Sequence, residues 1–127
     1  MDGIKVLIVD DEERMTRVIA DYLKIKGYDT AEAGDGEEAL AQFAAFKPDL
    51  VLLDVMMPKM DGWEVCSRIR QRSSVPIIML TARGEEEDEL KGFSLGVDEY
   101  IAKPFSLKIL LARIEAVLTT ILQSPLR

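Results

Sequence analysis

Histidine is absent from this sequence, and cysteine occurs only once, as Cys66. Without histidine, the chain cannot form a Ser-His-Asp or Cys-His catalytic system or a metal site with imidazole ligands. A single cysteine cannot form an internal disulfide bond, which is compatible with a reducing compartment. These absences exclude the commonest nucleophilic and zinc chemistries.

Long apolar runs and basic stretches are also missing. No apolar run approaches the roughly 20 residues that a membrane-spanning helix needs, and the N-terminus lacks the pattern of a signal peptide. The net charge of −7 opposes binding to a phosphate backbone, and no basic stripe offsets it. We therefore expect a cytoplasmic protein that by itself binds neither nucleic acid nor membranes.

The 127 residues are enough for one domain with a buried core, and two apolar patterns alternate along them. Near-continuous apolar runs are typical of parallel strands covered on both faces, whereas apolar residues at helical spacing indicate amphipathic helices. Strands are predicted over residues 4–9, 29–33, 51–53, 75–80 and 98–102. Helices are predicted around residues 15–23, 39–43, 63–69, 85–95 and 107–121.

This alternation of five strands with five helices predicts an α/β fold. The expected architecture is an open, doubly wound parallel sheet with right-handed crossovers and helices on both faces, which makes three layers. Residues 1–122 are expected to form this single domain. Residues 123–127 are interpreted as a C-terminal tail or as the start of a linker to a further domain.

Polar residues follow four of the predicted strands: Asp10 and Asp11, then Asp54, Thr81 and Lys103. In open α/β sheets the ligand crevice lies beyond the carboxyl ends of the strands, so these side chains are expected to converge there. Taken singly, each has a simpler explanation. Asp10, Asp11 or Thr81 would serve as a helix N-cap, Asp54 as a turn residue and Lys103 as a solvated surface residue.

Together, these residues indicate a more specific chemistry. Two carboxylates about 4 Å apart repel by roughly 4 kcal/mol at an effective dielectric near 20, so three of them require a cation. A small set of ligands that are all oxygen atoms favours Mg²⁺ over zinc. A phosphoryl group carried by one carboxylate would explain the other two polar residues. Lys103 can pair with one phosphoryl oxygen, and Thr81 can donate a hydrogen bond to another.

Four motifs, in this order along the chain, carry a family resemblance: VDDE at residues 9–12, LDVMMPKMDG at 53–62, LTA at 80–82 and AKPF at 102–105. The chain resembles the receiver domain of bacterial two-component response regulators over nearly its whole length. It is most similar to receivers of the OmpR/PhoB subfamily, which precede a winged-helix DNA-binding domain. The resemblance implies a flavodoxin-like (CheY-like) strand order of 2-1-3-4-5, with the acidic residues flanking the point where the order reverses.

The resemblance also implies roles for the residues around the acids. Asp54 would accept the phosphoryl group. Asp11, Asp54 and the backbone carbonyl of Met56 would bind Mg²⁺, or alternatively Mn²⁺, directly. Asp10 would bind the ion mainly through water. Met56 and Arg83 occupy the two positions at which the family tunes the rate of dephosphorylation.

Further roles follow from the same resemblance for the residues after the fourth and fifth strands. Thr81 and Lys103 would contact the phosphoryl group, helped by the backbone amide of Ala82. Thr81 would also act as a switch together with Tyr100, which stands at the family's aromatic switch position. The bond between Lys103 and Pro104 is predicted to be cis.

The implied partners are a sensor histidine kinase and, after phosphorylation, a second copy of the chain. The expected dimer face is formed by the predicted helix over residues 85–95, the fifth strand and the last helix, and includes Leu90, Phe93, Glu99, Ile109, Leu111 and Arg113. Glu99 and Arg113 match one ion pair that crosses such dimers. Ile109 stands where the subfamily usually has an acid and Thr120 where it often has a base, so we expect less salt dependence than is typical.

Three other functions fit parts of the sequence. Haloacid-dehalogenase-like phosphatases also use an aspartyl nucleophile and Mg²⁺, but carry Asp-x-Asp after the first strand, whereas Asp10 and Asp11 are adjacent. A flavin carrier needs a hydroxyl-rich phosphate loop where this chain has acids. A receiver-like scaffold that is not phosphorylated usually lacks a site residue, and none is lacking here. A stand-alone receiver and the receiver of a longer regulator would look alike.

Overall fold

The computed structural model describes residues 3–82 and 95–122. Within them, five strands form one sheet: β1 (Lys5–Val9), β2 (Asp29–Ala33), β3 (Leu50–Asp54), β4 (Ile77–Thr81) and β5 (Glu99–Ala102). Each strand is parallel to its neighbours, and their order is β2-β1-β3-β4-β5. The predicted fold class and strand order are therefore confirmed.

Four helices are described: α1 (Glu13–Ile25), α2 (Gly36–Phe46), α3 (Gly62–Arg70) and the C-terminal helix (Leu107–Leu122). None of these four is long and apolar enough to cross a membrane. The helix predicted over residues 85–95 lies outside the described residues. So do the predicted site residues Arg83, Leu90 and Phe93, and the tail over residues 123–127.

The sheet is covered on both faces, which explains the near-continuous apolar runs of β1, β3 and β4. Because successive side chains point to opposite faces of a strand, the residues of these strands divide between two apolar clusters. The cluster facing α2 and α3 includes Leu7, Val9, Val51, Leu53, Ile77 and Met79. The cluster facing α1 and the C-terminal helix includes Val6, Ile8, Leu50, Leu52, Ile78 and Leu80.

The C-terminal helix buries one narrow stripe, at Leu110, Ile114 and Leu118. This spacing of four residues places all three side chains on one face of the helix. The helix begins after Ser106, whose Oγ accepts a hydrogen bond from the Ile109 amide at 3.1 Å, as expected of an N-cap. Ile109 itself lies off the stripe and is 52% exposed.

One strand boundary differs from the prediction in an informative way. The fourth strand was expected from residue 75, but β4 begins at Ile77. Pro76 has no N–H to donate to a neighbouring strand. The carbonyl of Val75 is bound instead by the side chain of Arg70, at 2.7 Å.

Candidate functional site

Three carboxylates lie together beyond the carboxyl ends of β1 and β3. Asp54 is the last residue of β3, and Asp10 and Asp11 follow the neighbouring strand β1. Asp10 and Asp54 are buried, at 1% and 4% exposure, whereas Asp11 is exposed. One oxygen from each of the three lies within 4.8 Å of the others. The expected convergence of these acids is therefore observed.

Within residues 3–82 and 95–122, a single ammonium group lies among these acids. Lys103 Nζ donates a hydrogen bond to Asp10 Oδ2 at 2.7 Å and lies 3.4 Å from Asp54 Oδ1. Burial acts to lower the pKa of Lys103, but the hydrogen bond to Asp10 and the charge of Asp54 outweigh burial and raise it. Among the residues that the structure describes, one cation faces three carboxylates, which leaves this cluster with an excess of negative charge.

The excess charge is reflected in the protonation of Asp54. Burial of the carboxyl group, followed by repulsion from Asp10, raises the pKa of Asp54 from 3.8 to about 6. The Lys103 ammonium and the backbone N–H of Met56 act in the opposite direction but do not cancel these effects. The carboxyl group is thus poised to gain from a further cation, which would restore its ordinary acidity.

The simpler explanations of Asp10 and Lys103 are wrong. The N-cap of α1 is Glu12, and its side chain makes no capping hydrogen bond. Asp10 instead accepts a hydrogen bond from the Glu12 amide at 2.9 Å, which holds its carboxylate in a turn. The Lys103 side chain is only 20% exposed, so it is not a solvated surface residue.

The ends of β4 and β5 complete this edge of the sheet. Thr81, the last residue of β4, is buried, and its carbonyl accepts a hydrogen bond from the Lys103 amide at 2.6 Å. Ala82 follows and is exposed. The bond between Lys103 and Pro104 is cis, as predicted. The residues expected around a phosphoryl group therefore lie at the same edge as the acids.

The loop between β3 and α3 holds two features that the sequence interpretation missed. Asp61 is the N-cap of α3, because its side chain accepts a hydrogen bond from the Glu64 amide at 2.9 Å. Gly62 packs so closely on the end of β3 that a Cβ there would lie 2.3 Å from the Asp54 carbonyl oxygen. Acidic residues three positions apart before a helical pattern were the available signal for the cap.

The remaining predicted residues lie away from the acids or at the rim. Tyr100 is half-buried on the α3 side of the sheet, with its ring 6.4 Å from that of Trp63. The Met56 side chain is 70% exposed. Glu99 and Arg113, expected to pair across a dimer, lie 3.2 Å apart within one chain.

The donor set fits a small divalent cation. All three side chains offer carboxylate oxygens, which are the ligands that Mg²⁺ prefers. Opposite ligand oxygens around Mg²⁺ are roughly 4 Å apart, so oxygens within 4.8 Å of one another need little adjustment. Zinc is disfavoured because the chain has no histidine and its one cysteine is buried elsewhere.

A comparison with known proteins assigns the chain to one family. The sequence pattern of the response regulator receiver domain matches residues 6–115. The chain is a member of that family. The receiver is thus a signalling domain, and the predicted resemblance is confirmed.

Named relatives and a solved structure agree with the match. The receiver is 52% identical over 118 residues to the probable transcriptional regulator ycf27 of Porphyridium aerugineum, covering 93% of this chain and 49% of that protein. It is 50% identical over 115 residues to the alkaline phosphatase synthesis transcriptional regulatory protein PhoP of Bacillus subtilis (strain 168), covering 90% and 48%.

In three dimensions, the chemotaxis protein CheY4 of Vibrio cholerae superposes with a TM-score of 0.87 at 34% identity, covering 91% of this chain and 98% of that one. The receiver spans about half the length of the curated relatives it matches, which are transcriptional regulators.

Proposed function

We propose that the receiver accepts a phosphoryl group on Asp54 from the phosphohistidine of a sensor histidine kinase, in a reaction that depends on Mg²⁺. The observation that carries the proposal is the setting of the Asp54 carboxylate. It is buried at the end of β3, 3.4 Å from the Lys103 ammonium and beside two further carboxylates. Because these 127 residues contain no histidine, the donor histidine must lie outside them.

The transfer exchanges one bond to phosphorus for another. An oxygen of the Asp54 carboxylate forms a bond to phosphorus while the bond between phosphorus and the donor imidazole nitrogen breaks. The electron pair of the broken bond stays on that nitrogen, which takes up a proton from solvent. Such a reaction depends mainly on positioning and on neutralising the charge of the phosphoryl oxygens.

The chain's own residues would divide these tasks. Lys103 pairs with one phosphoryl oxygen, and the Thr81 hydroxyl and the Ala82 backbone N–H donate hydrogen bonds to the others. Met56 and Arg83 are assigned to tuning the rate at which water removes the phosphoryl group. These residues assist phosphorylation and dephosphorylation of the domain itself and act on no separate substrate.

The metal would be held by Asp10, Asp11, Asp54 and the backbone carbonyl of Met56. Mg²⁺, or Mn²⁺ in its place, supplies positive charge that offsets the carboxylates and the incoming phosphoryl oxygens. An anionic donor would otherwise meet three carboxylates with one ammonium between them. This imbalance is why the proposed reaction requires the ion.

Labelling with acetyl phosphate tests the proposal directly. We expect the parent protein to gain the mass of one phosphoryl group in the presence of Mg²⁺, and Asp54→Asn to gain none. The matched control is Asp21→Asn, an exposed acid on α1, which should label like the parent. Full labelling of Asp54→Asn, or of the parent in excess chelator, would contradict the assignment.

We propose that phosphorylation draws Thr81 toward the phosphoryl group, that Tyr100 turns inward behind it, and that a two-fold dimer forms. The observation in favour of this face is Ile109, which is 52% exposed on the C-terminal helix. Leu111, also assigned to the face, is half-buried against the core. Leu90 and Phe93 would complete the face, and both lie outside the described residues.

The ion pair between Glu99 and Arg113 bears on the salt dependence of this dimer. The two side chains already pair within one chain at 3.2 Å, so pairing across a dimer would replace one contact with another. Its net contribution is then small, and the apolar contact at Ile109 dominates. We therefore expect association to weaken little as salt is raised.

Sedimentation with and without beryllofluoride, a phosphoryl mimic, tests the dimer. We expect association only with the mimic, and Arg113→Glu should weaken it because two acids then face each other. Arg17→Glu, which changes an exposed arginine on α1, is the matched control and should associate normally. A protein that stays monomeric at high concentration in both states would refute the dimer.

The output is proposed to be transcription, through a DNA-binding domain in a longer protein. The names of the relatives, which are about twice as long, support this. Residues 1–122 would then form the receiver and residues 123–127 would begin the linker. The sensor kinase and the receiver would meet in the cytoplasm.

A further inference from the structure

Arg70, the last residue of α3, has a partner for each of its five N–H donors. Nε and Nη2 donate to the Gly96 carbonyl at 3.3 and 2.8 Å. Nη1 donates to the carbonyls of Ser73 and Val75 at 3.3 and 2.7 Å. Nη2 also lies 3.4 Å from Asp98 Oδ2. Three of these contacts, those to Gly96 and Asp98, hold the segment that leads into β5.

Asp98 and Gly96 extend this arrangement into the sheet. Asp98 Oδ2 also accepts a hydrogen bond from the Ile77 amide at 2.8 Å, and the Asp98 amide donates to the Ile77 carbonyl at 2.9 Å. Gly96 has a φ of +77°, and a Cβ there would lie 3.2 Å from Arg70 Nε. The start of β5 is therefore bound to both α3 and β4.

A second contact joins α3 to β5. The rings of Trp63 and Tyr100 lie 6.4 Å apart with an interplanar angle of 51°. Trp63 and Arg70 are separated by almost two helical turns, so they share a face of α3 and are about 10 Å apart along its axis. The helix thus contacts the segment over residues 96–100 at two places, through Arg70 near its start and through Trp63 at Tyr100.

We propose that Arg70 is a positioning residue: by holding Gly96 and Asp98, it sets where Tyr100 lies against Trp63. Loss of the guanidinium would leave the carbonyl of Gly96 and the carboxylate of Asp98 without these donors, and the start of β5 would shift to recover hydrogen bonds. Tyr100 is only two residues beyond Asp98, so it would move with the strand. The role of Tyr100 as a switch rests on the proposed function, whereas its contact with Trp63 does not.

The test compares Arg70→Lys with Arg68→Lys, an exposed arginine on the same helix that pairs with Glu64. Because the chain has one tryptophan, its emission reports on Trp63 alone. We expect the emission maximum to shift in Arg70→Lys and the amides of Ile77 and Asp98 to exchange roughly tenfold faster. The control should match the parent. A lower melting temperature with unchanged emission from the folded variant would overturn the proposal.

A milder variant guards against a change that only unfolds the protein. Asp98→Asn removes the charge that faces Arg70 but keeps an oxygen for the Ile77 amide. We expect a smaller emission shift in the same direction, and Mg²⁺ affinity within about twofold of the parent because the acids lie at the other edge of the sheet. No shift in this variant, or a tenfold loss of Mg²⁺ affinity, would count against the positioning role.

Beryllofluoride separates this proposal from the proposed function. If Tyr100 is a switch, the mimic should change the Trp63 emission of the parent, and the change should be at most half as large in Arg70→Lys. A parent that does not respond would refute the switch, while the comparison without the mimic still decides the role of Arg70. A full response in Arg70→Lys would overturn the role of Arg70.

Discussion

A cation lies among oxygen atoms at the amino ends of the strands, and another lies among oxygen atoms at their carboxyl ends. The two cations differ in how completely their charge and their hydrogen bonds are matched by these oxygens. At the amino ends of β4 and β5, every donor of Arg70 has a partner: three backbone carbonyls and the Asp98 carboxylate accept its hydrogen bonds. At the carboxyl ends, Lys103 binds Asp10 and lies close to Asp54, with the exposed Asp11 beside them.

This difference separates a structural cluster from a reactive one. A guanidinium with all donors matched has nothing further to gain from a ligand, so its contacts stabilise the fold. An acidic cluster with one ammonium for three carboxylates keeps a raised pKa at Asp54 and gains from any added cation. Incomplete pairing in a buried setting is what favours the carboxyl ends of the strands as the proposed site for the metal and the phosphoryl group.

The largest effect on the free energy of unfolding should come from replacing Arg70, whose hydrogen-bond donors are all paired. Arg70→Met would remove the donors that Arg70 supplies to three backbone carbonyls and to Asp98, and we expect a loss of about 3 kcal/mol in the free energy of unfolding. Urea denaturation measures this loss. Arg68→Met, at an exposed position of the same helix, should lose less than about 0.5 kcal/mol. Equal losses in the two variants would contradict the comparison.

Replacing Asp54, one of the three incompletely paired carboxylates, should instead raise the free energy of unfolding. The pKa of Asp54 lies near 6 in the folded, metal-free protein against an ordinary 3.8, so ionisation costs the folded state stability as the pH rises between these values. At about 1.4 kcal/mol per pH unit over this interval, Asp54→Asn should be more stable than the parent by roughly 2 to 3 kcal/mol at pH 8.

This gain has a defined pH window. Below pH 6 the parent takes up the proton, so the difference should shrink as the pH falls and vanish near pH 4. Urea denaturation of both proteins in chelator across this range provides the measurement. A difference that is constant with pH would show that the charge of Asp54 is not its source.

Mg²⁺ should stabilise the same edge without any phosphoryl donor. A cation that binds only the folded chain adds about 1.4 kcal/mol when its concentration is ten times the dissociation constant. Thermal unfolding should therefore move to higher temperature with Mg²⁺ in the parent and not in Asp11→Ala. If millimolar Mg²⁺ leaves the melting temperature of the parent protein unchanged, this result would argue against a metal site.

The smallest effect is expected at the exposed ion pair of β5 and the C-terminal helix. Arg113 and Glu99 are 51% and 33% exposed, so solvent screens their attraction. Arg113→Gln should change the free energy of unfolding of the monomer by less than about 0.5 kcal/mol. A loss above 1 kcal/mol in urea denaturation would place this pair with the buried clusters instead.

The sequence by itself determined the sheet and the acidic edge. Strands covered on both faces require near-continuous apolar runs, so the ends of β1, β3 and β4 could be located to within two residues. The carboxyl ends of parallel strands meet at one edge, so the convergence of Asp10 and Asp54 followed from the strands alone.

Away from the acids, only the tertiary structure decided which side chains of different elements meet. An arginine at a helix end looks like a solvated residue, and the packing of α3 against the start of β5 is what encloses Arg70. The same holds for Gly62, whose need for space comes from the end of β3, and for Arg113, which pairs within the chain. Periodicity depends on local sequence and the strand order followed from the family resemblance, whereas these contacts depend on how the folded elements pack together.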